Sequence, residues 1–203
     1  MEKQHWKPGN MIYPLPAVLV SCRRPGERPN ILTVAWCGTI CTNPAMVSIS
    51  VRPERYSYDI LRETGEFVIN LTPLALNRAA DFCFVRSGRD TDQFAEMHLT
   101  PQESQHISAP GIAESPVNIE CRVREILPLG SHHLFLADVL GVSVDEALLD
   151  EKGPLQMQRA DLTAYSHGTY YHLGEEIGTF GYSVRKKKKK SFSSRNGGAA
   201  PNG

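Results

Sequence analysis

The sequence predicts a mainly β fold, a closed or nearly closed β-barrel with small peripheral helices. Two observations carry this. Six runs of 5 to 12 residues are rich in Val and Ile, apolar or alternating, and bounded by Gly, Pro or Asn. Helical patterns are few and short, so no long crossover helices alternate with the strands as a doubly wound sheet would require.

Taken in order, the first strands are Ala17 to Ser21 (AVLVS) and Ile31 to Ala35 (ILTVA). A stretch of small and hydroxyl residues follows (Cys37, Gly38, Thr39, Cys41, Thr42) and reads as a loop. A proline turn at Asn43-Pro44 sends the chain back as Met46 to Val51. Tyr56 to Thr64 reads as a helix, with Ser57 as its N-cap and Gly65 as its C′ glycine. Glu66 to Leu71 is a strand, after which Thr72 and Pro73 supply a cap and an N1 proline for a helix through about Phe82. A third helix begins near Asp90-Thr91 and carries Gln93, Phe94 and Met97. Val117 to Ile126 alternates: Val117, Ile119, Cys121 and Val123 share one face, and Asn118, Glu120 and Arg122 the other. Such a strand is expected to be buried on one side and wetted on the other. His133 to Val144 is the last long strand.

At 203 residues the chain suits one domain with a sizeable core. Its formal net charge of zero gives no whole-protein field toward nucleic acid or membranes, and no partner of either kind is expected. No apolar run approaches the ~18 residues of a membrane span, and the N-terminus lacks the apolar core of a signal peptide. Five scattered cysteines, an odd number, fit a reducing compartment, so a cytoplasmic location is expected. The domain is expected over residues 1–183. Residues 184–203, with six consecutive cations from Arg185, read as a basic, disordered tail, either simply solvated or an electrostatic tether.

The chemistry concentrates between Asn30 and Ser57. Arg52 and Arg55 can offer forked donors to a phosphate, and a helix start at Ser57 adds free N–H groups and a positive dipole end. Small residues at Ala35, Cys37 and Gly38 let backbone amides approach a flat ring. An ordinary surface hairpin with two exposed arginines would read the same way. Cys37 and Cys41 are either redox-active thiols or simply small side chains. His132-His133 lacks a second ligand cluster, so no metal site is expected. No Rossmann glycine fingerprint or P-loop appears.

The order of motifs resembles the flavin reductase-like, FMN-binding split-barrel family, in its flavoredoxin-like branch. The matching residues are Asn30-x-x-Thr33-x-Ala35-Trp36, Cys41-Thr42-Asn43-Pro44, Ser48 to Arg52, Arg55-Tyr56-Ser57 and Gly65 to Asn70. Asp92-Gln93-Phe94, Glu120-Cys121, Gly130-Ser131-His132-x-Leu134-Phe135 and Tyr171-His172-Leu173-Gly174 follow. The resemblance covers about Pro14 to Tyr182. It implies a homodimer of split barrels with one noncovalent FMN per subunit. Ala35, Trp36, Cys37 and Gly38 would face the ring, Ser50, Arg52, Tyr56 and Ser57 would line the ring edge, ribityl chain and phosphate, and Thr33 would be a further cofactor-binding residue. Gln93 stands where the family commonly has a lysine, with Arg89 as a substitute cation. His132 falls where the family places a histidine by the nicotinamide, with Ser131 in place of an aspartate. The resemblance thus implies an FMN-binding redox flavoprotein fed by NADH or NADPH, or by an iron–sulfur or other redox protein. The alternative is an NAD(P)H-dependent flavin reductase supplying reduced flavin to another enzyme; a third reading is a split barrel that has lost flavin.

Overall fold

The computed structural model describes residues 1–151 and 153–185. The chain divides into Met1–Leu173 and a unit from Gly174 onward, whose described part contains one 3-10 turn, Tyr182–Val184. From residue 186 on, the basic segment read as a tail lies outside the described residues. No described helix is long and apolar enough to cross a membrane.

The first unit begins with an extended strap and β1 (Leu15–Pro16), then β2 (Val18–Cys22) and β3 (Asn30–Val34), which pair antiparallel. β4 (Cys37–Thr42) follows after two residues and returns through Asn43-Pro44 as β5 (Ala45–Val51). Next come α1 (Tyr56–Thr64), β6 (Glu66–Asn70), α2 (Asn77–Val85), α3 (Gln93–Glu96), and the small pair β7 (Pro101–Gln102) and β8 (Gly111–Ile112). A long ribbon, β9 (Val117–Pro128) and β10 (His133–Val144), precedes the hairpin of β11 (Thr163–Ser166) and β12 (Thr169–His172).

Seven strands form one sheet in the order β3-β2-β6-β9-β10-β5-β4. Its edges, β3 and β4, are consecutive in sequence and joined only by Ala35 and Trp36. The sheet therefore curls into a half-barrel. The start of β9 pairs with β6 and the start of β10 with β5. Register shifts at Leu136/Ala137 and Val139/Gly141 bend the ribbon between them. The fold is mainly β with small helices outside, as the sequence predicts.

Val20, Ile49, Phe67, Cys121 and Phe135 fill the inner face. β2 and β3 are buried on the other face too, where Leu19 and Ile31 pack on Ala79, Ala80 and Cys83 of α2 and on Phe94. Cover on both faces is why AVLVS and ILTVA are unbroken apolar runs.

β9 departs from its expected wet face. Arg122 is exposed, but Asn118 and Glu120 are buried beneath the segment between β7 and β8. Glu120 accepts from the N–H groups of Gln105 (3.0 Å) and His106 (2.7 Å). Burial alone would raise its carboxyl, yet these donors and the His106 ring hold it below the usual carboxylate range. Asn118 Nδ2 donates to Asn70 Oδ1 at 2.7 Å and to the Ile112 carbonyl at 3.0 Å. Asn70 is the hub, accepting also from Ile112 N–H and donating to Leu19 O and Ser21 Oγ.

The helix ends need correction as well. Arg55, not Ser57, is the extended residue flanking α1; Ser57 lies inside the helix, its buried hydroxyl accepting from Asn30 Nδ2 at 2.6 Å. Gly65 ends α1 as expected, at φ 66° with its N–H on Leu61 O. Pro73 flanks the next helical turn instead of starting it, and Thr72 is no cap. The reason is tertiary: Pro73 bridges to Leu162, and Leu74 N–H donates to Asp161 O. α2 then continues past Phe82 to Val85. The supposed loop from Cys37 is the edge strand β4. The hairpin of β11 and β12, absent from the sequence reading, turns on His167-Gly168, both at positive φ (49° and 89°).

Replacing Asn70 with Ala leaves Ile112 N–H without its acceptor and the Asn118 amide with only the Ile112 carbonyl. We expect a loss of at least about 2 kcal/mol in urea unfolding; an unchanged midpoint would rule out the Asn70 hub as a stabilising element.

Candidate functional site

A cavity of about 620 Å³ opens where the sheet closes, within the size range of small-ligand sites. β3 and the joint contribute Leu32 to Trp36, and the end of β5 contributes Ser50, Val51 and Arg52. Glu54 and Arg55 lead into α1, Phe84 comes from α2, Tyr165 from β11 and His132 from the ribbon turn. Asn10 and Tyr13 of the strap complete the wall.

Three kinds of group meet there. The first is open backbone. Ile31 N–H points away from β2, because Gln93 Oε1 accepts from it at 2.9 Å. Peptide groups two residues apart along a strand point the same way. Thr33 therefore also aims its N–H and C=O off the sheet edge, where no strand among the described residues pairs with it. Its hydroxyl is engaged elsewhere, donating to Ala80 O.

The second is positive charge. Arg55 is tied down, donating to Phe84 O at 3.1 Å with its guanidinium 5.9 Å from the Phe84 ring centre. Arg52 is exposed and has no carboxylate partner among the described residues.

The third is a wall of rings. His132 lies 4.5 Å from Trp36 at a 40° tilt, and Phe84 stacks on Tyr165 at 6.1 Å. Ser131 Oγ is 3.0 Å from His132 Nδ1. The next residue anchors the turn, since Tyr58 Oη and His133 Nδ1 are 2.7 Å apart. Burial first, and then the Arg52 charge, push the His132 imidazole below its ordinary 6.5. That shift favours the neutral form of the ring.

Of the residues singled out in the sequence, Thr33, Ala35, Trp36, Ser50, Arg52, Arg55 and His132 line this cavity. Cys37 lines a smaller neighbouring one; burial pushes its thiol up to about 12, so it stays protonated. Gly38 follows on β4, with nothing within 4 Å of where a Cβ would sit. Arg89 lies 5.8 Å from the Tyr56 ring centre, and Ser57 is buried against Asn30. Gln93 is buried, its amide spanning Ile31 N–H and Arg86 O. Gly38, Tyr56, Ser57, Arg89 and Gln93 are not part of the cavity wall. Sequence reasoning missed Asn10, Tyr13, Phe84 and Tyr165. Phe84 and Tyr165 meet only through tertiary packing, and only the His167-Gly168 turn signal pointed to the strand bearing Tyr165.

A curled half-barrel with this cavity at its closure defines a split barrel of the flavin reductase type. The chain belongs to the flavin reductase like domain family, whose model matches residues 10–174 and so spans every wall residue of the cavity. It is similar to flavoredoxin of Desulfovibrio vulgaris (Miyazaki F), at 29% identity and a TM-score of 0.83, covering 91% of this chain and 100% of that one. It shares its fold with an FMN-binding protein from Thermus thermophilus, at 24% identity and a TM-score of 0.71, covering 88% and 98%. A protein of Archaeoglobus fulgidus is 29% identical over 141 residues, 70% of this chain and 78% of its own length.

His132 should titrate below 6.5 by NMR, and Arg52→Ala should move its midpoint upward. As pH falls below 6.5 the unfolded chain binds this proton first, so the residue's contribution to stability is held above that value and lost as pH drops through the folded pKa. An unmoved midpoint in the variant would separate the two groups.

Proposed function

We propose that the cavity holds a noncovalent FMN and that the protein is a redox flavoprotein of flavoredoxin type. The carrying observation is an open strand edge at Thr33 and an uncommitted guanidinium at Arg52 in one cavity of about 620 Å³. The group's demands match these residues. Its ring presents donors and acceptors along one edge, as an added strand would, and its phosphate carries nearly two negative charges. Thr33 would pair with the ring edge through its peptide group. Arg52 would face the phosphate, helped by Arg55, Arg89 and the free N–H groups at the start of α1. Ala35, Trp36, Cys37 and Gly38 would flank the ring; Ser50, Tyr56 and Ser57 would line the rest of the ligand. Because the Ser57 hydroxyl is taken by Asn30, Ser57 would act through its backbone. Similarity to flavoredoxin over its full length supports this reading.

When bound, FMN supplies the redox chemistry. The chain's part is to orient the ring, to stabilise negative charge at its edge through Thr33 N–H, and to present the neutral His132 to a second molecule. No side chain need act as acid or base. In this proposal the protein is a cytoplasmic homodimer that receives electrons from NADH or NADPH or from an iron–sulfur partner. One observation favours the reductase alternative: His132 lies against Trp36 in the cavity wall, where a nicotinamide would lie.

The purified protein is expected to show the visible absorbance of oxidised flavin. Rapid anaerobic bleaching by NADH or NADPH would select the reductase, and persistent colour a carrier fed by another protein; a colourless protein that takes up no FMN would overturn both. Arg52→Ala removes a charge-assisted contact of roughly 1.5–3 kcal/mol, about 10- to 150-fold in FMN affinity. Unchanged affinity, read by equilibrium dialysis, would refute the phosphate assignment.

A further inference from the structure

A second cavity of about 370 Å³ adjoins the first and shares Asn10, Tyr13 and Trp36 with it. The rest of its wall is Gly9, Met11, Ile12, Leu15 and Cys37. The strap forms one side and the Trp36–Cys37 step the other. Among the described residues no Asp, Glu, Lys, Arg or His contributes, and the Cys37 thiol is uncharged because burial pushes it up to about 12. The first cavity, by contrast, carries Arg52, Glu54, Arg55 and His132. A charged ligand entering the smaller space would lose water and gain no counter-charge. Met11 and Ile12 are 63% and 84% exposed, so their apolar surface adds to the mouth of the pocket.

We propose that this pocket binds a small, uncharged, planar apolar molecule, seated between the strap and Trp36 and reaching the larger cavity past Tyr13. Its place as the redox substrate rests on the proposed flavin site; its existence does not. The chemistry favours a neutral aromatic compound over a pyridine dinucleotide, whose phosphates meet no cation there.

Coumarin, a neutral bicyclic probe, tests this by isothermal titration of the full chain, with and without FMN. The wild type is expected to bind coumarin and to bind coumarin-3-carboxylate at least tenfold more weakly. Met11→Asp and Ile12→Asp should each weaken coumarin at least tenfold while leaving FMN uptake unchanged. Arg52→Ala should do the reverse. Coumarin binding without FMN uptake would sink the flavin reading and leave the pocket standing. FMN uptake without coumarin binding, equal affinity for both coumarins, or indifference to the Asp variants would overturn the pocket. If the Asp variants instead change the sedimenting mass and coumarin never binds, Met11 and Ile12 belong to an interface between copies of the chain.

Discussion

Val34 and Cys37 lie on opposite edges of a seven-stranded sheet, yet only Ala35 and Trp36 separate them. Three Cα steps reach at most about 11 Å. In a flat sheet, six inter-strand spacings would hold those edges about 29 Å apart. Curling is the way to satisfy both distances. Ser50 N–H, donating to Trp36 O at 2.9 Å, pins the joint to β5. The edges are brought together at the joint without pairing along their lengths, and the cavity opens between them. The helices and the β7–β8 segment cover what the curl leaves outside.

That constraint separates what could be read locally from what could not. Strand runs such as AVLVS and the long ribbon are legible because their composition and bounding residues act within a few positions. Gly65 was legible because a left-handed helix end selects glycine. Arg52 and His132 could be placed beside one cavity only through the order of motifs, since eighty residues separate them and no local period relates them. The misreadings have one cause. Asn118 and Glu120 look like solvent-facing residues until a distant segment brings Ile112, Gln105 and His106 over them. Ser57 looks like a cap until Asn30 claims its hydroxyl. The strand β4 looks like a loop because small residues carry little propensity, and its partner β5 supplies the pairing.

Gln93 illustrates how buried polar groups are used here. It occupies the position of a surface-seeking residue, but its amide stands in for a missing strand, accepting from Ile31 and donating to Arg86 O. Asn70 does the same work on the other side of β2, between Leu19 O and Ile112 N–H. Both satisfy backbone groups that the curl leaves without partners, where an apolar residue would strand them. Such amides fix register, because a one-residue slip would misalign every bond.

The edge of β3 is closed by Gln93 at Ile31 and open at Thr33. An open, uncharged strand edge is a template for another chain, and proteins normally blunt such edges with charge, proline or cover. In the proposed function, a ligand seated on Thr33 would supply that cover. If the proposed flavin is that cover, its loss would leave the peptide group of Thr33 unpaired, and occupancy and self-association would be linked.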